Sequence, residues 1–441
     1  MTAYEVARAA AQAIAATGGR AYYVGGCVRD RLLGVESSDL DIEVYGVPAD
    51  TLVGILAPFG PIKKEGTAYG VYSLADVAVD FALPRIEKRT GMGHRAFSVT
   101  VDPHLSFEDA ACRRDFTVNA MLCDVLTGDI IDPFFGRTDM ENKVLRAVCG
   151  AHFGEDPLRV LRGAQFAARL GYTPDAETVN LCKSMSLSLL PPARVEEELK
   201  KALLLSAAPS RFFEFLRVTG HLDEWFSALR KLIGLRQNPK YHPEGDVYTH
   251  TMECLDRAAA VRAESSDPYK FMLLALTHDF GKATTTKEID GVIHAYGHES
   301  AGIAPAKETV MKFCRRADVL AYLERMIALH MKPNILAAAN ASEKATNKMF
   351  DEAPSPTDLI LFASVDSPRA AVYTPFLRAR YAKYLEVMAR PYVRGDDLVA
   401  AGLSGEQMKT WLAYAHKLRL AGVDKTAALA QTIAFARKNG G

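Results

Sequence analysis

Two aspartates stand two residues apart in Ser38-Asp39-Leu40-Asp41. The run Leu40-Asp41-Ile42-Glu43-Val44 alternates polar and apolar side chains, the period of a half-buried strand. Alternation puts Asp39 and Asp41 on one face. Adjacent carboxylates repel and raise each other's pKa unless a cation lies between them. Oxygen ligands of this kind suit Mg²⁺, which takes one or two carboxylates plus substrate phosphates. Cations held there would activate an attacking hydroxyl and stabilise a leaving pyrophosphate. The competing reading is a pair of solvated aspartates at a strand edge. Asp80, in Val77-Ala78-Val79-Asp80-Phe81-Ala82, is a candidate third carboxylate. Upstream, Gly25-Gly26 follows the apolar run Ala21-Tyr22-Tyr23-Val24 and leads to Arg29. A glycine pair lets backbone approach a phosphate closely, and serves equally well as a plain turn.

Two further clusters carry charge in apolar surroundings. Arg113-Arg114-Asp115-Phe116-Thr117-Val118-Asn119 holds two arginines, which bind phosphate oxygens in a bidentate way. A helix start with a salt bridge accounts for the same residues. Glu155-Asp156-Pro157-Leu158-Arg159-Val160-Leu161-Arg162 opens a helix, with acids ahead of a first-turn proline. Asp156, Arg159 and Arg162 share a face at three-residue spacing. That spacing fits capping with an intrahelical ion pair. It also fits a rigid edge of donors and acceptors able to hydrogen-bond a nucleobase.

The histidines form a fourth group. Eight of eleven lie beyond residue 200, and His242, His250, His278-Asp279, His298, His330 and Asp366 stand out among the acids and imidazoles. His278-Asp279 ends the apolar run Leu273-Leu274-Ala275-Leu276-Thr277, where an unpartnered polar pair is costly. Imidazole with carboxylate suits a divalent transition metal, which would supply hydroxide at neutral pH.

The elements that position these residues fall into an α+β pattern. Residues 1–145 alternate helix and strand. From 146 to 230 the strand signals vanish, and Arg159–Leu170, Val195–Leu205 and Ser210–Val218 read as helices. Residues 231–375 read as helices rich in His, and 376–441 as a helical tail with eleven Lys and Arg against five Asp and Glu from Pro375 on. Such a local excess suits a nucleic-acid backbone and equally a solvated helical face. The 441-residue chain carries 53 basic and 53 acidic residues, so a uniformly basic coat for nucleic acid is excluded and any such contact is local. With 49% hydrophobic residues it has ample material for packed cores. No secretion leader and no membrane span are expected. The seven cysteines, odd in number and without a C-x-x-C pair, suit reduced thiols in the cytoplasm better than a disulfide framework.

Taken together, the Gly-Gly-x-Val-Arg-Asp string with Asp-Leu-Asp, then Arg-Arg-Asp-Phe-Thr-Val-Asn-Ala-Met, then Glu-Asp-Pro-Leu-Arg-Val-Leu-Arg, resemble the bacterial class II tRNA nucleotidyltransferase and poly(A) polymerase family. The resemblance implies a polymerase-β-like nucleotidyltransferase head (1–145), a helical neck that reads the base (146–230), an HD-type body (231–375) and a tRNA-contacting tail (376–441). It places the metal ligands, for Mg²⁺, on Asp39 and Asp41. Nucleotide contacts fall on Gly25, Gly26, Arg29 and Arg114, the sugar pocket on Asp115 and Asn119, and the protein template for CTP or ATP on Glu155, Asp156 and Arg159, with Arg162 nearby. The stretch Pro84–Arg95 resembles the family's loop needed for adding the terminal A, which CC-only members shorten. The histidine pattern resembles the HD phosphohydrolase superfamily. That likeness implies four ligands, His250, His278, Asp279 and Asp366, with His298 and His330 for a second metal, and Ni²⁺, Co²⁺, Mn²⁺ or Mg²⁺ as the ion. The expected activity is template-independent CCA addition to tRNA, joined to a metal-dependent phosphohydrolase. The alternatives are A-only or poly(A) addition, and an HD phosphohydrolase whose head only binds RNA.

Overall fold

In the computed structural model, the structure describes the whole chain apart from residues 38, 64–66, 68–69, 90–96 and 439–441. It divides into two compact units. The first comprises Met1–Ala202 with Arg211–Glu224, and the second Leu203–Ser210 with Trp225–Gly441.

The first unit is built on a six-stranded mixed sheet of β1 (Arg20–Val24), β2 (Leu40–Tyr45), β3 (Val71–Ser73), β4 (Val79–Ala82), β7 (Leu122–Asp124) and β8 (Ile130–Ile131), in the order β3-β4-β2-β1-β7-β8. Between β4 and β7 in the chain, β5 (Arg85–Arg89) and β6 (Phe97–Val101) form a separate antiparallel hairpin. Residues 90–96 lie outside the described residues, and with them most of the Gly-containing part of the 84–95 stretch.

Period-two alternation sorts β2 cleanly. Leu40, Ile42 and Val44 point into an apolar core with Val6, Ala10 and Ile14 of the helix Ala3–Ala16 and Leu52 and Leu56 of the helix Ala49–Leu56. Asp41, Glu43 and Tyr45 take the other face, where Tyr45 joins Tyr22, Ala110 and Leu122 in a second, smaller core. Strands β2 and β4 run parallel with Asp41 opposite Asp80, so the pairing register itself sets the two carboxylates side by side.

Past the sheet the unit becomes helical, with one departure from expectation. Val144–Leu145 and Thr173–Pro174 pair as a two-residue parallel ladder, too short to leave a periodic trace in sequence. The helix expected from Arg159 runs Leu158–Leu170 and stops at Gly171, whose φ of 70° is the left-handed conformation that glycine supplies at helix ends. Gly163 in its middle packs so closely that an added Cβ would lie 2.7 Å from Phe215 and 2.9 Å from Phe116.

The cysteine expectation needs correcting. Cys112 and Cys149 form a disulfide across 37 residues of chain, with Cα atoms 5.4 Å apart. The remaining five are free and buried. Irregular spacing hid the pairing because only tertiary structure brings the end of the helix Phe107–Cys112 beside Cys149.

The second unit is helical except for a hairpin of Lys287–Ile289 and Val292–His294. Its turn is Asp290-Gly291, both at positive φ (51° and 75°), the type I′ pattern of two-residue hairpins. In the tail, Val393, Leu398, Leu403, Trp411 and Ala415 make a small core. Several tail cations are already paired, Arg380 and Lys383 with Glu343 and Lys425 with Asp397. No helix among the described residues is long and apolar enough to cross a membrane.

Candidate functional sites

The first site lies on the Glu43 face of the six-stranded sheet. The chain leaves β1 at Gly25, whose backbone (φ 73°, ψ −138°) is strained for any residue with a side chain, and enters the helix Gly26–Leu32. A Cβ on Gly25 would lie 3.8 Å from Asp41 Oδ2, so this turn passes directly over the carboxylate. Asp39 precedes β2 by one residue, and Asp39, Asp41 and Asp80 are all exposed. The Asp41 carboxyl reaches solvent, yet desolvation by the protein around it is the largest cause of its raised pKa. The charges of Asp80 and Asp39 add to the rise, and Arg114 and Arg162 oppose it. Register sets Asp80 opposite Asp41, and the charges of Asp39 and Asp80 both act on the Asp41 carboxyl.

Beside the acids lies a lattice of guanidiniums. Arg29 is buried, donating from Nη1 to Asn119 Oδ1 at 2.7 Å and to Asp30 through Nε and Nη2. Asn119 Nδ2 donates to Asp115 Oδ1 at 3.0 Å, and Arg162 Nε donates to Asp115 Oδ2 at 2.6 Å. Burial alone would raise the Asp115 pKa, but Arg162 and the hydrogen bonds from Asn119 hold it below the usual carboxylate range. Phe166 lies under both Arg29 and Arg162, 5.1 and 5.3 Å from ring centre to guanidinium carbon. Arg113 and Arg114 both reach Glu43, at 2.7 and 3.1 Å, and Arg114 Nη1 also donates to the Asn119 carbonyl. Glu43 is buried, a cost that would raise its pKa, yet the two arginines bring it below the ordinary value.

The start of the helix Leu158–Leu170 completes the site. Asp156 Oδ1 accepts from the Leu158 amide at 3.0 Å, a capping bond. The Arg159 guanidinium donates to the carbonyls of His152 and Arg113, and Glu155 meets His152 at 3.1 Å. Arg162 turns to Asp115, away from the free end of the helix. The structure therefore joins Arg29, Asp115, Asn119 and Arg162 in one network. Arg159 ties the Arg113 backbone to the helix start, and Arg114 meets the network at Asn119. Glu43 carried no expectation, although it continues the Asp39-x-Asp41 alternation by one step.

The second site, in the helical unit, is buried. His250 lies in the helix Val247–Val261, His278-Asp279 just past Pro268–Thr277, His298 at the start of His298–Ala301, His330 just past Ala317–Leu329, and Asp366 at the end of Pro356–Asp366. Helix ends thus bring every expected ligand to one point. His278, His298 and His330 each place Nδ1 on a backbone carbonyl, of Ala275, Ala295 and Ile327, at 3.0, 2.7 and 2.6 Å. A carbonyl only accepts, so each Nδ1 carries the proton and each Nε2 of the neutral ring offers a lone pair. His250 reaches the same arrangement through a carboxylate, Nδ1 to Glu244 Oε1 at 2.7 Å.

The atoms facing inward fit a cation. His298 Nε2 and His330 Nε2 face each other at 3.2 Å, two lone pairs that need a cation or proton between them. His278 Nε2 and Asp279 Oδ2 are buried without a hydrogen-bond partner. Asp366 Oδ1 lies 3.0 Å from His250 Nε2 and 3.3 Å from His278 Nε2, so the aspartate with the loosest sequence context sits among the imidazoles. Asp279 reaches both halves: Oδ2 faces His250 and His278, and Oδ1 lies 3.5 Å from His298. Burial would lower the His278 pKa, but Asp279 and Asp366 push it up to about 10, a sign that the pocket demands positive charge. Among the described residues, four groups bring their ligand atoms within 4.8 Å of one another: His250-His278-Asp279, Asp279-His298-His330, Cys254-His278-Asp366 and His242-Glu244-His250.

Lys282, given no role from sequence, forms an ion pair with Asp279 Oδ2 at 2.7 Å and donates to Gln237 Oε1 at 2.8 Å. Its signal was the Gly281-Lys282 pair directly after His278-Asp279-Phe280. Gly281 is there for space: an added Cβ would lie 1.9 Å from the His298 carbonyl oxygen.

Residues 21–146 match the family described as the poly A polymerase head domain. Over 413 residues the chain is 33% identical to the multifunctional CCA protein of Thioalkalivibrio sulfidiphilus (strain HL-EbGR7), spanning 88% of this chain and 94% of that protein. The multifunctional CCA protein of Nitrosococcus oceani is 34% identical over 400 residues, with 87% and 94% covered. Among solved structures, the Thermotoga maritima CCA-adding enzyme complexed with tRNA shares the fold at a TM-score of 0.63 and 19% identity, over 98% of this chain and 95% of that one.

Proposed function

The chain belongs to the multifunctional CCA protein family, and from that premise we propose that it builds the CCA terminus of tRNA from CTP and ATP, with the second site as a metal-dependent phosphohydrolase. The observation that carries the first activity is the Asp41–Asp80 register beside the arginine lattice, with the start of the helix Leu158–Leu170 tied to that lattice through Arg159 and Arg162.

Asp39 and Asp41, with Asp80 alongside, would hold a divalent cation, in our reading Mg²⁺. When bound, it supplies Lewis-acid activation of the tRNA 3′-hydroxyl and charge neutralisation at the phosphates. The hydroxyl attacks the α-phosphate of the bound nucleotide. The bond between the α- and β-phosphates breaks and pyrophosphate leaves. Arg114, with Arg113, faces the triphosphate as a bidentate donor. The Gly25 turn lets the backbone approach that same anion. Asn119 and Arg162 hold Asp115 at the sugar pocket, and Arg29 holds Asn119.

Base choice follows from donor and acceptor types. Cytosine and adenine both present an amino group where uracil and guanine present a carbonyl oxygen. The Asp156 carboxylate accepts from that amino group, and the Arg159 guanidinium donates to the neighbouring ring nitrogen. Glu155 borders the same edge. No nucleic-acid template is needed, because the helix carries the pattern itself.

His250, His278, Asp279 and Asp366 would hold one divalent metal, with Asp279, His298 and His330 for a second. Ni²⁺, Co²⁺ or Mn²⁺ suits the imidazoles better than Mg²⁺. Bound there, it supplies hydroxide for phosphoester hydrolysis. Three Nδ1–carbonyl bonds and the Glu244–His250 bond keep the lone pairs aimed inward. A tRNA partner supports a cytoplasmic location.

The test is extension of tRNA transcripts ending before CCA, after C and after CC, with CTP and ATP supplied singly and together. Ordered addition that stops at CCA is expected. Extension of the CC-ended transcript alone would make it an A-adding enzyme, and a long A tail a poly(A) polymerase. No addition would leave the hydrolytic site as the main activity.

A further inference from the structure

Asp41 and Glu43 stand on the same face of β2, two residues apart, yet in opposite settings. Asp41 is exposed; Glu43 is 1% exposed. A buried carboxylate is costly unless paired, and Glu43 is paired three times. It takes Arg113 Nη2 on Oε1 at 2.7 Å, and Arg114 Nη2 and the Tyr45 hydroxyl on Oε2 at 3.1 and 3.0 Å. The Arg114 charge also reaches Asp41, one cause that opposes the rise in its pKa. Glu43 therefore binds two guanidiniums, and the charge of one of them, Arg114, also acts on the exposed Asp41 two residues away. If they turned to the exposed cluster they would neutralise the ligands that a cation needs.

We propose that Glu43 is a positioning residue for nucleotide addition: its carboxylate holds Arg113 and Arg114 off the Asp39–Asp41–Asp80 cluster, leaving the acids to the cation and the guanidiniums to the triphosphate. The inference rests on the reading of this face as the nucleotide-addition site. Geometry gives the reason for a carboxylate at this place. Each guanidinium spends one Nη2 hydrogen on Glu43 and keeps its charge. A neutral residue at 43 would satisfy fewer donors and would leave the acids as the strongest attraction within reach.

The test is steady-state addition of CTP to a transcript ending before CCA, with Mg²⁺ and nucleotide each titrated, for wild type, Glu43→Gln and Glu43→Gln with Arg113→Gln. In Glu43→Gln the Mg²⁺ concentration for half-maximal rate and the KM for CTP are each expected to rise about tenfold, with a smaller change in kcat. Removing one freed guanidinium in the double variant should bring the Mg²⁺ requirement back toward wild type while KM stays high. A merely structural glutamate would lower Tm and kcat, leave the Mg²⁺ requirement where it was, and worsen in the double variant; that pattern overturns the proposal. If Glu43→Gln fails to fold, Glu43→Asp, which keeps the charge but shortens the reach, is read for the same Mg²⁺ shift, and no shift there is equally contrary. A wild-type protein that adds no nucleotide would count against the function itself, and a wild-type protein that adds normally with an unshifted variant would count against Glu43 alone.

Discussion

On the proposed reading, the two candidate sites would hold a cation beside a phosphate in opposite ways. At the sheet, the acids are exposed and the fixed parts lie behind them: Glu43, Asp115, Asn119 and Arg29 are buried and hydrogen-bonded, while Asp39, Asp41 and Asp80 face solvent. In the helical unit the ligands themselves are buried, and the orienting bonds are made by backbone carbonyls at helix ends. The first site must admit a triphosphate and an RNA end and release pyrophosphate at each step, so its ligands stay open. The second is fixed before any substrate arrives. On that reading, burial of the ligands would mark which cation belongs to the protein and which is brought or shared by the substrate.

Substitutions can break this contrast, and the largest effect belongs to the buried site. His278→Ala with Asp279→Ala removes two ligands, one of which, Asp279, is common to both halves. Phosphoester hydrolysis should fall by about a thousandfold, the loss of several kcal/mol of charge stabilisation. Metal content by elemental analysis should fall with it while CCA addition persists. Glu244→Gln keeps the shape but weakens the partner that orients His250. It should cost on the order of 10- to 100-fold in metal affinity, read by competition with a chromogenic chelator. An unchanged affinity would mean that His250 is oriented by Asp366 alone.

At the open site the expected losses are smaller and move different quantities. Asp115→Asn removes the charge that Arg162 is bonded to and should lower stability by about 2 kcal/mol, seen as a shift in denaturant midpoint. Its effect on CTP and ATP should be alike, because Asp115 does not face the base. A selective loss of one nucleotide would place Asp115 in base reading. Phe166→Leu keeps the apolar volume but removes the ring beneath Arg29 and Arg162. A few-fold rise in nucleotide KM is expected, the size of an exposed-to-buried cation–π contact of about 1 kcal/mol. No change would assign the ring to packing only.

How legible all this was in the sequence depended on distance along the chain. Local patterns showed clearly. The Asp39-x-Asp41 alternation, the acids before Pro157 and the His278-Asp279 pair after an apolar run are each set within ten residues. The neighbour of Asp41 across the sheet, Asp80, was visible only as an unusual acid in a strand; parallel register made it a partner. Glu43 went unassigned because its partners lie 70 and 71 residues away, and no local signal marks a buried carboxylate as paired. The Cys112–Cys149 disulfide was missed for the same reason, irregular spacing being silent about which loops meet. The Asp290-Gly291 hairpin had its turn written in the sequence, but strands of three residues are too short for periodicity to separate from the surrounding helices. Conversely, the tail's basic excess overstated its free charge, since ion pairs to Glu343 and Asp397 occupy part of it.

The division of labour between an open acid site and a buried imidazole site is tested most directly by one paired measurement. Wild type, Asp41→Asn and His278→Ala would be given the same tRNA transcript ending before CCA, with CTP and ATP, and a 2′,3′-cyclic nucleotide with the transition metal. Asp41→Asn is expected to abolish CCA addition and spare hydrolysis, and His278→Ala to do the reverse. Full CCA addition by Asp41→Asn, or loss of both activities in either variant with the fold intact, would contradict two independent sites.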